Sequence, residues 1–187
     1  MKNYFKPLFV LLLLFCSIGS IGQTVSFELK TSPNILFDFN TVQEYENGII
    51  IMNAVTLNIN TTESFDIYVG ATTTAIDEWN VVSTYSTNGV LPPTSLLQLQ
   101  FRNASSTSKV AGFFPIQDIT TPTYIIGTAV SPEANINCPL LGTSAPGDYL
   151  TNPNCYKFKV DLKIVPGFDY RSGHYELRID YVIIQDI

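Results

Sequence analysis

A single histidine, His174, is the chain's one candidate base for hydrolytic chemistry. A catalytic triad needs such a base beside a nucleophile, with a carboxylate to orient it. The sequence contains no Gly-x-Ser-x-Gly elbow, and its cysteines lack the surroundings of a papain-like nucleophile. His174 follows Arg171-Ser172-Gly173 at the start of an alternating segment, so we expect an exposed turn residue without a catalytic role.

Two carboxylates can hydrolyse a glycosidic bond without a histidine, so the acidic residues are the next candidates. Those in loop-like segments are Glu44, Glu46, Asp77 and Glu78. Those on alternating segments, where we expect outward faces in water, are Asp38, Asp66, Asp161 and Asp180. Neither setting would raise the pKa of an acid, and no group of residues meets the geometric requirements of a catalytic site. We therefore expect no enzyme activity.

Metal and nucleotide sites have signatures that this sequence lacks. It contains no Asp-x-Asp-x-Asp-Gly calcium loop, no Cys-x-x-Cys pair and no glycine-rich phosphate loop leading into a helix. We expect neither a metal nor a cofactor.

Aromatic side chains can bind sugars by stacking on the apolar face of a ring. Trp79 follows Asp77 and Glu78 in a loop-like segment, and Tyr85 is near it in sequence. These two residues are our candidate ligand-binding pair. The alternative for Trp79, which leads into two valines, is an anchor in the hydrophobic core.

The cysteine count points to a disulfide bond. Cys138 and Cys155 form an even pair in a chain that we expect to be exported, and such pairs are usually oxidised. The bond would close a loop of about 17 residues and stabilise the fold by about 3 kcal/mol. The alternatives are two buried thiols or a metal site, and the second lacks further ligands nearby.

Residues 1–22 have the pattern of a secretory signal peptide. Lys2 and Lys6 precede an unbroken apolar run over 8–15, and Ser20-Ile21-Gly22 is a cleavage site of small residues. A transmembrane anchor is the alternative, but the run is shorter than a span requires. Lipid attachment at Cys16 would need a small residue where Phe15 stands. We expect an exported chain in the periplasm, on the outer surface or outside the cell, with no membrane span after cleavage.

Residues 23–187 fit one domain with a substantial core. They carry 8 basic and 16 acidic residues, and the basic residues form no cluster in the sequence. An acidic chain is a poor ligand for nucleic acid, so we expect no such partner.

Alternation of apolar and polar residues predicts strands along the whole chain. Besides two closing strands, the predicted segments are 25–30, 35–40, 49–59, 65–69, 81–85, 97–102 and 123–130. Residues 41–47 and 75–79 could each form one helical turn. The expected fold is an all-β antiparallel sandwich, immunoglobulin-like or pilin-like, with about nine or ten strands.

The charges of the two closing strands predict a register between them. If they form an antiparallel hairpin with Lys163 opposite Glu176, then Asp161 faces Arg178 and Lys159 faces Asp180. A slip of two residues in either direction brings like charges together, which is destabilising.

Residues 131–154 are rich in Pro, Gly and Asn and show no clean alternation. A loop of this length in a compact domain is uncommon and often functional or disordered. It can be a decorated surface loop tied down by the disulfide or a binding loop on a rigid scaffold, and we favour the first.

The closing stretch, from Pro166-Gly167 through Gly173-His174-Tyr175 into an alternating strand, resembles the end of pilin-like and spore-coat-U-like secreted domains. The resemblance covers about the last 30 residues and implies a β-sandwich that assembles with other subunits. In pilins a groove is filled by a neighbour's N-terminal strand, and residues 24–30 could be such a donor. The alternative, which we favour, is an ordinary first strand.

Taken together, these features predict a secreted, non-catalytic structural or adhesive component of a bacterial cell-envelope or surface assembly. Its partners would be an envelope protein or further copies of itself. The alternative is a carbohydrate-binding module that uses Trp79 and Tyr85.

Overall fold

The structure is a computed structural model, and it describes residues 24–31, 35–105, 112–127 and 145–185. In these residues the eleven strands are β1 (Val25–Thr31), β2 (Ile49–Thr61), β3 (Phe65–Thr72), β4 (Asn80–Thr84), β5 (Leu97–Asn103), β6 (Phe114–Pro115), β7 (Thr123–Ile126), β8 (Gly147–Asp148), β9 (Lys157–Ile164), β10 (Gly173–Glu176) and β11 (Arg178–Gln185). The helical segments are α1 (Val42–Asn47), α2 (Pro153–Tyr156) and a 3₁₀ turn, Thr94–Leu96. The fold is therefore mostly antiparallel β, as the alternation predicted.

The strands form three sheets. The six-stranded sheet has the order β1-β2-β9-β5-β6, with β8 paired to β2, and the three-stranded sheet has the order β11-β3-β7. The third sheet is a two-stranded ribbon of β4 and β10. Since β10 leads directly into β11, the same closing segment pairs first with β4 and then with β3.

The inward faces of the six-stranded and three-stranded sheets share one hydrophobic cluster. Leu57, Leu99 and Phe158 come from the first sheet, and Ile67 and Ile126 come from the second. All are at most 1 % exposed, so each contributes about 1.5–3 kcal/mol relative to an exposed side chain. This shared core holds the two sheets against each other.

The predicted closing hairpin is wrong. β9 pairs with β2 on one side and with β5 on the other, whereas β11 pairs with β3 in the three-stranded sheet. Residues 165–172 therefore carry the chain from the six-stranded sheet to the β4–β10 ribbon, and β10 then leads into β11 in the three-stranded sheet. The alternation identified the core face of each strand correctly, but it does not specify which strand lies alongside.

The other local predictions divide into confirmed and wrong ones. The turn at 41–47 is confirmed as α1, which begins after Thr41 with a capping box formed with Glu44 and ends at Gly48. Gly48 has φ +79°, and a Cβ there would collide with the carbonyl oxygen of Ile164. The strand predicted at 35–40 is wrong, since this segment is irregular and leads into α1. The helical turn predicted at 75–79 is also wrong, since this segment forms a non-helical turn before β4.

Within the described residues, no helix has the length and apolar character that a bilayer span requires. The predicted signal peptide, residues 1–22, lies outside them.

Candidate functional site

His174 and Tyr85 lie together at the tip of the β4–β10 ribbon. Their rings meet edge-on with centroids 5.7 Å apart, and both side chains are exposed. The Tyr85 N–H donates to the Ser172 carbonyl at 2.9 Å, which fixes the tip. A shallow depression of about 370 Å³ is lined by Thr84, Tyr85, Ser86 and Thr87. One exposed aromatic ring with neighbouring hydroxyl groups can contact a sugar, and His174 lies directly opposite Ser83 in the β4–β10 pairing.

Trp79 lies at the other end of β4 and faces the core. Its side chain is half-buried against the hydrophobic cluster, and its indole N–H donates to the Pro93 carbonyl at 3.0 Å. Six residues of extended chain separate it from Tyr85, a distance of about 20 Å. The two aromatic residues therefore do not form one platform, and Trp79 occupies the position of a core anchor.

Two of the acids that we predicted on outward faces in water are buried. Asp161 is 0 % exposed and Asp66 is 2 % exposed. Gly127 lies so close to the Asp66 carboxylate that a Cβ on it would collide with that group. Asp180 is partly buried and bonds Thr72 and Arg178, while Asp38 is exposed on an irregular segment. The prediction of solvated acids was wrong for Asp161 and Asp66, because neighbouring elements cover these positions.

The loop acids occupy separate places and have separate roles. Glu44 accepts hydrogen bonds from the Asn40 and Thr41 N–H groups at 2.8 and 2.9 Å. These bonds hold the pKa of Glu44 below its ordinary value. Glu46 is exposed at the end of α1, and Asp77 and Glu78 are exposed in the turn before β4. Among the described residues, no cluster of three or more His, Cys, Asp and Glu side chains has the arrangement of a metal site.

Of the predicted disulfide pair, one member lies within the described residues. Cys155 is on α2, half-buried against the core, while Cys138 and most of segment 131–154 lie outside them. The pairing therefore stays a prediction. The described end of that segment contains β8 and α2, and the Tyr156 hydroxyl donates to the Ala145 or Pro146 carbonyl, which ties it to the core.

A buried ion pair occupies the outward face of the six-stranded sheet. Arg102 on β5 donates from Nε to Asp161 Oδ2 at 2.6 Å and from Nη2 to Asp161 Oδ1 at 2.7 Å. Asn53 completes the group: its N–H donates to Asp161 at 2.7 Å and its side-chain oxygen accepts from Arg102 at 3.0 Å. Asn53 lies in the bulge of β2 with φ +53°, a conformation that Asn tolerates. The two charges of the group are therefore paired with each other, and removing either one would leave the other buried without its partner.

We call the outward face of the six-stranded sheet the cationic face. Its strand register places Lys30, Thr56, Lys159 and Arg102 in one row across four strands. The row on one side holds Glu28, Asn58 and Lys157, and further rows hold Asp161 with Gln100 and Lys163 with Gln98. Asp148 lies opposite Asn60 at the end of the sheet. The face thus collects five of the eight lysines and arginines that follow residue 22.

We call the edge formed by β1 and β11 the open flank. β1 pairs with β2 and β11 pairs with β3, and no other strand in the described residues pairs with either. The two strands approach each other to within 8 Å between Cα atoms. β1 carries Glu28 and Lys30 on its outward face, whereas the Tyr181–Ile184 stretch of β11 has no charged residue. Edge strands without such charges are sites of association with another chain.

Sequence reasoning missed Arg102, Asn53, the cationic face and the edge position of β11. Arg102 and Asp161 are 59 residues apart, and the cationic face combines residues from four strands, so neither has a local signal. The run of four apolar residues at Tyr181–Ile184 is a signal that could have indicated an interface strand.

Comparison with known proteins gives no assignment. No family model matches the chain, and no curated protein is similar to it in sequence. Function must therefore be argued from the surfaces described above.

Proposed function

We propose that this protein is a non-catalytic structural or adhesive component of an exported surface assembly, folded as an antiparallel β-sandwich. Two packed sheets around one core are what such a sandwich requires. The observation that carries the functional proposal is the edge position of β11. An edge strand that is apolar on both faces, through Tyr181, Val182, Ile183 and Ile184, offers backbone groups and apolar area to a partner strand.

The partner that fits this edge is β1 of a second copy. In an antiparallel pairing with Glu28 opposite Arg178, Phe27 falls opposite Ile179 and Val25 opposite Tyr181, both on β11. Lys30 falls opposite Glu176, the last residue of β10. A slip of two residues in one direction puts Lys30 against Arg178, and a slip in the other puts Glu28 against Glu176. Like charges directly opposite are destabilising, so the charges favour one register between copies.

The charged side chains of β1 and β11 can replace their present partners with partners on a second copy. Lys30 now pairs with Glu28 on its own strand at 3.3 Å, and Arg178 pairs with Asp180 on its own strand at 2.9 Å. Most of these side chains are well exposed, so each pair is weak in water and is easily replaced by a cross-strand pair.

The test is a charge exchange between two variant proteins. Glu28→Arg and Arg178→Glu should each weaken self-association, measured by sedimentation velocity, while circular dichroism stays unchanged. An equimolar mixture of the two variants should associate again, because the arginine introduced into β1 of one variant then faces the glutamate introduced into β11 of the other. Failure of the mixture to associate, or a wild-type chain that stays monomeric, contradicts pairing between copies and leaves an envelope protein as the partner to be sought.

The ribbon tip favours a second candidate, a carbohydrate-binding module. Tyr85 is 69 % exposed beside the hydroxyl groups of Thr84, Ser86 and Thr87. A sugar ring would stack on Tyr85 and bond these hydroxyls. A glycan array probed with the wild type and with Tyr85→Ala tests this function, with Thr74→Ala, an exposed position on another loop, as the control.

A further inference from the structure

The cationic face has a charge opposite to that of the chain as a whole. Residues 23–187 carry twice as many acidic as basic residues, yet this face holds five cations and three carboxylates. Sheet pairing alone gathers these cations, because they come from β1, β5 and β9.

Two of the three carboxylates are already engaged. Asp161 is bonded by Arg102 at both oxygens, and Glu28 is bonded by Asn58 at 2.8 Å and by Lys30 at 3.3 Å. These contacts, with Lys157 nearby, hold the pKa of Glu28 below its ordinary value.

Two lysines of β9 lack a carboxylate directly opposite them. Lys157 faces Asn58 on β2, and Lys163 faces Ile50 on β2 and Gln98 on β5. Lys163 Nζ also lies 5.4 Å from the centre of the Phe113 ring. Both side chains are half-buried, as lysines are when the stem packs on the protein and the ammonium group stays in water.

Amide groups on the same face have unused hydrogen-bonding capacity. Gln100 is 4 % exposed and its Nε2 has no hydrogen-bond partner, and the same holds for Oδ1 of the buried Asn58. Unsatisfied buried polar atoms are costly, but both atoms are enclosed, so a ligand reaches them only where neighbouring side chains move.

We propose that the cationic face binds a linear acidic polysaccharide. Lys157 and Lys163 are six residues apart on one strand, a distance of about 20 Å, so the two cations are spread along the strand rather than gathered in one pocket. A chain of uronic acids presents carboxylates in a row and hydroxyl groups between them. Glu28 and Lys30 of β1 belong to both this face and the open flank, but Lys157 and Lys163 lie on β9, which β2 separates from β1. Changing these two lysines therefore tests ligand binding separately from strand pairing.

The acidic surface of a second copy fits this face less well. No described strand carries two carboxylates on the same face, since β1, β3, β8, β9, β10 and β11 each have one acidic residue. The chain therefore offers no matching row of charges in the described residues, whereas a polyuronate does.

The experiment measures binding of polygalacturonate to the purified exported chain, with neutral dextran as the reference polymer. Lys157→Gln combined with Lys163→Gln should raise the dissociation constant about five- to tenfold, because two charge contacts are lost. The control is Gln43→Glu combined with Asn88→Asp, which changes the net charge equally at two exposed positions outside the face. Its affinity should stay within about twofold of the wild type, and wild-type binding should weaken as salt is raised.

Four results would overturn the proposal. They are no binding of polygalacturonate at low salt, equal loss of affinity in the two double variants, equal binding of dextran, and tighter binding of single-stranded DNA than of polygalacturonate. Self-association that disappears only in the lysine double variant would likewise assign the face to a second copy. Circular dichroism and unfolding midpoints of both double variants show whether each is folded.

Discussion

Arg102 and Asp161 form a two-point ion pair on the outward face of the six-stranded sheet, with N–O distances of 2.6 and 2.7 Å. Their side chains are 9 % and 0 % exposed. In the hairpin that the sequence suggested, Asp161 would lie in water opposite Arg178. The acid instead pairs with a different arginine, and the pair is buried on the outward face of the sheet.

Removing one member of this pair should destabilise the protein strongly. Arg102→Ala leaves Asp161 buried without its partner, and the free energy of unfolding should fall by about 3–5 kcal/mol. Urea unfolding followed by fluorescence measures the change. The matched control is Arg178→Ala, which breaks an exposed pair with Asp180 and should cost about 1 kcal/mol or less. Similar losses of stability in the two variants would contradict a larger contribution from the buried pair than from the exposed one.

The capping box of α1 should make stability depend on pH at the acid end. The pKa of Glu44 is lowered in the folded state, so the carboxylate binds protons less readily there than in the unfolded chain. Its stabilising effect is complete at neutral pH and is lost as pH falls below about 5 and through the folded pKa. Glu44→Gln should therefore flatten the urea midpoint between about pH 5 and 3 relative to the wild type. Glu46→Gln, on the same helix without a cap contact, is the control, and equal flattening in both would exclude the cap as the cause.

Substitution of Trp79 should lower the stability of the fold, whereas substitution of Tyr85 should leave it nearly unchanged. Trp79→Ala removes a ring packed on the core and the bond to Pro93, so unfolding should become easier by about 2 kcal/mol or more. Tyr85→Ala should change stability by about 0.5 kcal/mol or less, because the ring is mostly exposed. Thermal unfolding of the two variants measures both. If a Trp79 variant loses glycan binding while its stability is unchanged, Trp79 is a ligand-binding residue and not a core anchor.

The cysteine pair remains a prediction with a direct chemical test. Thiol titration of the freshly purified exported chain under denaturing conditions should find no free thiol, since Cys138 and Cys155 are expected to be oxidised together. Reduction should lower the melting temperature by several degrees and leave a cooperative transition. Detection of two free thiols in the exported chain would contradict the predicted disulfide bond.

The sequence predicted most of the strands because alternation is a local property. In β2, alternation continues on both sides of the bulge at Asn53, because the bulge keeps the same side chains on the core face. These are Ile49 and Ile51, which are half-buried, and Val55, Leu57 and Ile59, which are buried. In contrast, the partner of each strand depends on contacts between distant segments. The charged residues of β9 are compatible with several neighbours. In the fold β9 lies between β2 and β5, and the apolar residues of all three strands join one cluster.

The candidate surfaces were harder to predict than the fold. A single exposed tyrosine and a half-buried tryptophan look alike in sequence, and packing against the core and Pro93 distinguishes them. The cationic face exists because β1, β5 and β9 lie in one sheet, which no local pattern specifies. The edge position of β11 follows from its pairing with β3, and the sequence had suggested a different neighbour.

Sedimentation velocity of the exported chain over a concentration series tests the central claim most directly. The wild type should associate as concentration rises, and Val182→Lys should remain monomeric, because a lysine on an edge strand opposes pairing with another chain. Val42→Lys, at an exposed position on α1, should associate like the wild type. If Val182→Lys does not fold by circular dichroism, Ile184→Lys replaces it. A wild-type chain that stays monomeric, or a folded β11 variant that associates as strongly as the wild type, would contradict assembly through the open flank.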